Sequence, residues 1–338
     1  MPGRTIFADI TPRTEGHTVR KLIERAIPYL VTEPYIEAYT IPNKEGRIAK
    51  WRRYLALTVA TVPLAEGVTP PGQKLTYSDV QVVMEQYGDW VGITDVIEDT
   101  HEDPILNDTV ENCSEQMAET REINRISVWT AGTSVMYAGD PTYTLRTDVL
   151  TALVRADLTY TTRQMKDNKA REISKLMTSN RNYGTEPIAP AFFAFGDSDL
   201  DADIYKLPGF VPVEKYTEPG SARVAEIGKW RNIRFVTTSL FDPWADSGGA
   251  VAGTGLISTT GADCDIYPLI ILARKAVAGV ALRGKFAVTP VVVNPGRADH
   301  YDKLGQTGHV GWKNWDANVI LNDDFIWRIE VGCTLYPA

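Results

Sequence analysis

The chain has 338 residues, 43% of them hydrophobic and 23% charged, with a formal net charge of −8. This is the composition of a folded protein with a sizeable core, one large or two ordinary domains, and it carries no whole-chain disorder signature. The negative balance argues against nucleic acid as a ligand, since phosphate binding needs clustered Lys and Arg, and no membrane span is expected because the most apolar long run, 269–282, is broken by Arg274 and Lys275.

The charge is unevenly placed. Residues 1–60 hold ten Lys/Arg against six Asp/Glu, a balance of +4, and residues 61–130 hold three against fourteen, a balance of −11. A basic arm followed by an acidic body suits docking between copies, or simply solubility. Cys113, Cys264 and Cys333 lie far apart with no CxxC, which reads as reduced thiols in a cytosolic setting.

Residues 1–46 read as an arm. The opening MPGRTIFADI lacks the pattern of a signal peptide. Spacing predicts a helix over Thr18–Leu30, with Leu22, Ile23, Ile27 and Leu30 apolar, after which Pro28, Pro34 and Pro42 break the chain into extended pieces. Such a segment buries little against itself and is expected to pack on something else.

Residues 47–96 are predicted to form a long β-hairpin. Leu55, Leu57 and Val59 alternate on one strand and Val80, Val82 and Met84 on the other. The tip, Pro63–Lys74, holds Pro63, Gly67, Pro70, Pro71 and Gly72, too long for a tight turn. An isolated hairpin is marginal in water, so this one either folds back on its own domain or is completed by a neighbour. Arg52 and Arg53 at its base are either plain exposed residues or contacts to an acidic stripe in another copy.

The best organised stretch is Asp103–Gly132. Asp103 suits an N-cap, Pro104 the first helical position and Gly132 a stop. Leu106, Val110, Cys113, Met117 and Val128 fall on one stripe of a helix over 104–131, which would be about 42 Å long. Opposite them Glu111, Glu115 and Glu119 repeat at four-residue spacing, where like charges repel. They form either a solvated face or the seat of a basic segment from elsewhere.

Beyond the helix, Ala156–Lys169 reads as a helix with Leu158, Thr162 and Met165 inward, Pro187–Gly196 as an apolar strand, and Leu200–Tyr205 as a short helix. Ile233, Phe235 and Thr237 alternate, Ser247–Gly261 reads as a flexible Gly-rich surface loop, and strands are predicted from Asp265, over Val288–Pro295 and over Ile320–Leu335. Helices and strands mix without βαβ regularity, giving an α+β class.

The pattern of an active centre is missing. His17, His101, His300 and His309 are too scattered for zinc, and GxSxG, HExxH and CxxC do not occur. GGAVAGTG (248–255) lacks the lysine of a phosphate loop, and Asp263/Asp265 and Asp323/Asp324 lack calcium-loop spacing and read as solvated turns. Asp299, His300 and Asp302 have no nucleophile beside them, and the eight tryptophans read as core and interface anchors. No catalytic, cofactor or metal residue is assigned.

Four segments carry a resemblance: residues 50–99 (KWRRYLALTV…GITDVIED), GTSVMYAG (132–139), VAEIGKWRNIRFVTTS (224–239) with Ala225 where the pattern has Gly, and DKLGQTGHVGWKNWDANVILND (302–323) with Lys303 where Pro is usual. Together they resemble the major capsid proteins of N4-like tailed bacteriophages, a branch of the Hong Kong 97-type (HK97-type) fold. The resemblance implies an N-terminal arm (1–46), an extended loop overlapping an adjacent subunit (47–96), a peripheral domain with a spine helix (97–145 and 285–338) and an axial domain (146–284). It further implies hexamers and pentamers of an icosahedral shell around double-stranded DNA, built in the host cytoplasm with a separate scaffolding protein, a portal and decoration proteins, and residing in the virion. Arg52, Arg53, Glu111, Glu115, Glu119, Pro70 and Pro71 are the expected inter-subunit contacts. An encapsulin-like compartment, and a cytosolic enzyme with an unrecognised site, are the competing readings.

Overall fold

The computed structural model describes residues 31–335 apart from 43, 65, 68, 101–104, 178–184, 217–222, 224, 252, 283–287 and 297–301. The predicted helix Thr18–Leu30, the cap Asp103–Pro104 and the histidines at 17, 101 and 300 lie outside the described residues.

A 3-10 turn at Glu33–Tyr35 leads into β1 (Glu37–Ile41), β2 (Ile48–Tyr54), β3 (Tyr77–Val83) and β4 (Glu85–Thr94). Helices α1 (Asp95–Thr100) and α2 (Ile105–Thr130) follow, then β5 (Val135–Tyr137), α3 (Arg155–Asp167), β6 (Ile173–Met177), β7 (Thr185–Gly196) and α4 (Asp201–Tyr205). The rest is strand: β8 (Phe210–Pro212), β9 (Glu226–Trp230), β10 (Ile233–Thr237), β11 (Ile266–Leu272), β12 (Val277–Leu282), β13 (Val288–Val293), β14 (Thr307–Ile320) and β15 (Ile326–Gly332).

Two sheets organise the body. Sheet A runs β1-β12-β14-β13, with β4 also on β14; sheet B runs β5-β15-β11-β7-β10-β9-β8, with β6 on β7. Sheet B is buried on both faces, and its strands show it by alternation. Phe192, Ala194, Leu269, Ile271, Ile329 and Val331 face one core with Leu158 and Met165 of α3. Their neighbours Phe193, Phe195, Ile270 and Leu272 face the other, with Ile126 and Trp129 of α2. This is the period of two expected of a sheet covered on both sides.

Helix α2 crosses from one sheet to the other. Its first half sets Val110, Cys113 and Met117 against Ile93, Val310 and Trp312 of sheet A, as the stripe predicted. Its second half turns Ile126 and Trp129 to sheet B and to Val277 and Ile320 at the ends of β12 and β14, and Val128 is only half-buried. Gly132 does end the helix, and Arg328 of β15 caps it by donating to the carbonyls of Thr130 and Gly132.

Several expectations are corrected by packing. The hairpin ends at Val83, because β4 pairs with β14 in sheet A over Glu85–Thr94. Leu55, Leu57 and Val59 lie beyond the paired strands, so the tip spans 55–76. Residues 31–41 of the expected arm pack on this chain's own body: β1 runs parallel to β12, and Val31, Tyr35 and Ile41 are buried. The boundary expected at 284/285 follows β12, a strand of sheet A, whereas β5 and β15 belong to sheet B. Thr161, not Thr162, is the fully buried threonine of α3. Ser247–Gly261 is no free loop. Ala250 bridges Asp263, Leu256 bridges Thr334, and Asp265, expected in a solvated turn, is buried and accepts from Asp246 N, Thr259 N and Thr259 Oγ1. A Cβ on Gly248 would meet Cys264 Sγ at 2.2 Å, which is why that loop needs glycine there. Ala225, at the glycine position of the resembled pattern, has φ +58°, the left-handed region where glycine carries no steric cost.

Candidate assembly surface

The hairpin β2–β3 pairs from Ile48↔Val83 to Tyr54↔Tyr77. Its base is anchored by Ala49 and Met84 against Ile41, Val280 and Ala317. From there outward it is a two-stranded ribbon with no layer to cover either face. Tyr54, Leu55, Leu57, Val59, Val62, Leu64, Leu75 and Tyr77 are 43–82% exposed. Single exposed apolar residues are ordinary, but a contiguous set of this size marks a contact surface. The tip is nonetheless shaped: the Gln73 amide accepts from Thr58 N (2.9 Å) and donates to Thr58 O (2.8 Å), closing a side-chain rung across it. Pro70 and Pro71 lie in this tip and are exposed.

Arg52 and Arg53 point to opposite faces of the ribbon, as neighbours on a strand must. Arg52 is committed within the hairpin. Its Nε and Nη2 donate to the two oxygens of Asp79, directly opposite, at 2.8 and 3.0 Å, and its guanidinium lies 4.1 Å from the Tyr77 ring. The same bonds hold the Asp79 carboxyl below its ordinary value. Arg53, opposite Ser78, is exposed and makes no ion pair among the described residues. On α2, Glu111 is exposed and Glu115 and Glu119 are half-buried, and none of them is ion-paired among the described residues. Within the chain the arginines and the glutamate stripe are not brought together.

A second apolar surface lies on the outer face of sheet A. Gly88 and Trp90 of β4, Gly311, His309 and Lys313 of β14 and Val291 of β13 line a trough of about 590 Å³. Two glycines keep its floor low, and the Trp90 side chain, 57% exposed, stands edge-on to His309 at one side.

Buried charge clusters among the described residues were not read from the sequence. Glu330, fully buried, accepts from Arg146 (2.6 and 3.1 Å) and Arg328 (2.8 Å), with Arg146 stacked 3.7 Å from the Trp244 ring. Glu122 and Arg125, buried on α2, meet Thr32. The i, i+3 spacing of Glu122 and Arg125 on the packed side of the helix was their only local signal. The three thiols are buried and unpaired, and burial raises the pKa of each. Among the described residues no group of three or more His, Cys, Asp or Glu is placed to hold a metal ion, and no helix is long and apolar enough to cross a membrane.

No family profile matches the sequence. The major capsid protein of Pseudomonas phage KPP21 is 22% identical over 229 residues, a match spanning 64% of this chain and 57% of that protein's length. Among solved structures, the capsid chain of cyanophage Pam1 is similar with a TM-score of 0.65 at 13% identity, over 99% of this chain and 100% of that one. The capsid chain of Ralstonia phage GP4 gives 0.64 at 11%, over 98% and 99%. The SrpI encapsulin of Synechococcus elongatus gives 0.50 at 12%, over 84% and 95%. The fold is therefore the HK97-type shell fold, α+β as expected, with α2 as its long helix.

Proposed function

We propose that this chain is the major capsid protein of a tailed bacteriophage of the N4-like group. It assembles through hexamers and pentamers into the icosahedral head that encloses double-stranded DNA. The observation that carries the reading is a self-sufficient body bearing an apolar ribbon that the body does not cover. Its fold, shared end to end with phage capsid chains, and its 22% identity to a phage major capsid protein support it. The sequence segments quoted above support the N4-like group.

In this reading the hairpin is the extended loop. Sheet A with the first half of α2 serves as the peripheral domain, and sheet B with α3 and α4 as the axial domain, whose loops gather at capsomer centres. Closed rings need two different complementary surfaces on each subunit. The tip and the trough are one such pair, and the cation of Arg53 with the stripe Glu111, Glu115 and Glu119 is another. Pro70 and Pro71 stiffen the tip and lower the entropy lost when it docks. The role is structural, not enzymatic. The net charge of −8 suits a wall that encloses DNA without gripping its phosphates. A separate scaffolding protein, a portal and decoration proteins complete the head, which is assembled in the host cytoplasm.

A second reading, an encapsulin-like compartment, draws on the similarity to SrpI. Neighbouring genes separate the two: portal and terminase genes favour the phage head, a cargo enzyme the compartment. Expression of the chain with its neighbouring genes, followed by negative-stain microscopy, tests the main reading. Closed shells are expected; a monomer in light scattering at high concentration would overturn both shell readings.

A further inference from the structure

Residues 31–41 make three contacts in succession, each with a different part of the body. Thr32 meets α2: its backbone N–H and its hydroxyl donate to Oε1 and Oε2 of Glu122, each at 2.8 Å. Arg125 Nη1 donates to the same hydroxyl at 2.9 Å and to Glu122 Oε2 at 3.1 Å. None of these three residues is more than 1% exposed. Beside them Arg121 Nη2 donates to Glu33 at 2.9 Å. Tyr35 then meets sheet B, its ring 4.4 and 5.0 Å from those of Phe193 and Phe195 on β7. Finally β1 meets sheet A along β12. Arg125 Nε reaches Asn318 of β14 at 3.4 Å, so sheet A also touches the cluster on α2.

The position of the cluster matters. Helix α2 packs on sheet A alone up to Met117, and from Ile126 on sheet B together with Val277 and Ile320 at the ends of β12 and β14. The residues gripped by the segment, 121–125, lie between, where the helix passes from one sheet to the other. We propose that residues 31–41 are a releasable strap that fixes the angle between sheet A and sheet B, and that lifting it lets sheet A, with the hairpin, swing about the middle of α2.

The chemistry suits a catch more than a weld. A buried carboxylate–guanidinium pair adds little net stability compared with apolar side chains of the same size, but depriving it of partners is costly. Seated, the strap supplies two of the donors to Glu122; lifted, it removes both together, so its contacts form and break as a set. The rest of its hold is modest. Only Val31, Tyr35 and Ile41 are its buried apolar side chains, and four of the five residues of β1 are exposed along the sheet edge. Either sheet keeps most of its core when the strap lifts.

The lock belongs to a single subunit and goes beyond the shell reading. It is tested on the full chain with spin labels at Lys313→Cys in sheet A and Lys229→Cys in sheet B, both exposed, diluted with unlabelled protein. The three native thiols are buried. Pulsed electron resonance reads the distance between sheets, and hydrogen exchange at residues 37–41 reads strap seating. With the strap seated, a single narrow distance is expected. Glu122→Gln should speed exchange at 37–41 by roughly tenfold, and Thr32→Val, which removes the hydroxyl's bonds to Glu122 and from Arg125, by at least that much; both should broaden the distance distribution. Thr32→Val leaves the Glu122–Arg125 pair intact and carries the test if Glu122→Gln does not fold. Faster exchange with an unchanged narrow distance would show that the strap does not set the angle. Unchanged exchange would show that Thr32 does not hold the strap. Either result overturns the proposal, and neither touches the shell reading, which stands or falls on whether particles form.

Discussion

Asp79 sits opposite Arg52, and that pairing changes what a charge reversal at the hairpin base would do. Arg52→Glu places two carboxylates face to face on paired strands, which destabilises the ribbon itself. Arg53→Glu has Ser78 opposite and leaves the ribbon alone. Arg53→Glu should therefore impair shell formation with the unfolding midpoint unchanged, and the double reversal at Arg52 and Arg53 should impair it further; particle yield by sedimentation, beside circular dichroism, checks both. Normal yield from the double variant would remove these arginines from the interface. Ala225 offers a test of local strain. Its φ of +58° costs an alanine about 1 kcal/mol or more, partly offset by the chain entropy of glycine. Ala225→Gly should thus raise stability by about 0.5–1 kcal/mol, read as a higher melting temperature.

The elements differ in how they are held. Sheet B is covered on both faces, whereas the ribbon β2–β3 is covered on neither beyond its base. Replacing Leu57, Val59 and Val62 with Ser should therefore leave subunit stability within about 0.5 kcal/mol, as for other exposed substitutions, yet reduce assembly. A large loss of stability, measured by urea unfolding, would mean that the tip packs on its own body. Glu122 carries a pH dependence of defined sign for folding of the chain. Burial pushes the Glu122 carboxyl above its ordinary value, against the pull of Arg125 and the two Thr32 bonds, with Glu33 adding to the rise. Arg121 also faces the cluster, paired to Glu33. A carboxyl whose pKa is raised on folding binds its proton more tightly in the folded chain. The folded chain is then favoured at this site in acid, and that advantage is lost as pH rises from the ordinary carboxylate value through the elevated one. Urea unfolding across this range should show stability falling with pH relative to Glu122→Gln. A Glu122-dependent rise in stability with pH would mean that Arg125 and Thr32 outweigh burial.

At the scale of the whole molecule, one helix joins two sheets, a strap crosses at the join, and a ribbon leaves the body uncovered. Local signals found much of this. The spacing of Val110, Cys113 and Met117 and the stop at Gly132 marked α2 to within a residue or two of its described ends, and the apolar runs marked β7, β11 and β13. The alternation of Leu55, Leu57 and Val59 misled, because a period of two shows that a segment can be a strand and not that a partner strand reaches it. β14, with two glycines and Lys313, Asn314 and Asp316 among its residues paired to β4, carried no clear apolar pattern and was missed as a strand.

By itself the sequence determined the α+β class, the long helix, a hairpin with a proline-rich tip and the uneven charge, because spacing, caps and turn residues act over a few positions and need no partner to be read. Tertiary structure alone decided that residues 31–41 belong to the body and that Arg52 is already paired. It alone decided that Glu122, Arg125 and Glu330 are buried, and that one helix serves two cores. Those facts rest on pairs as distant in the chain as Glu37 and Ala278, and what such pairs cost or contribute depends on which groups meet and how much water is left between them.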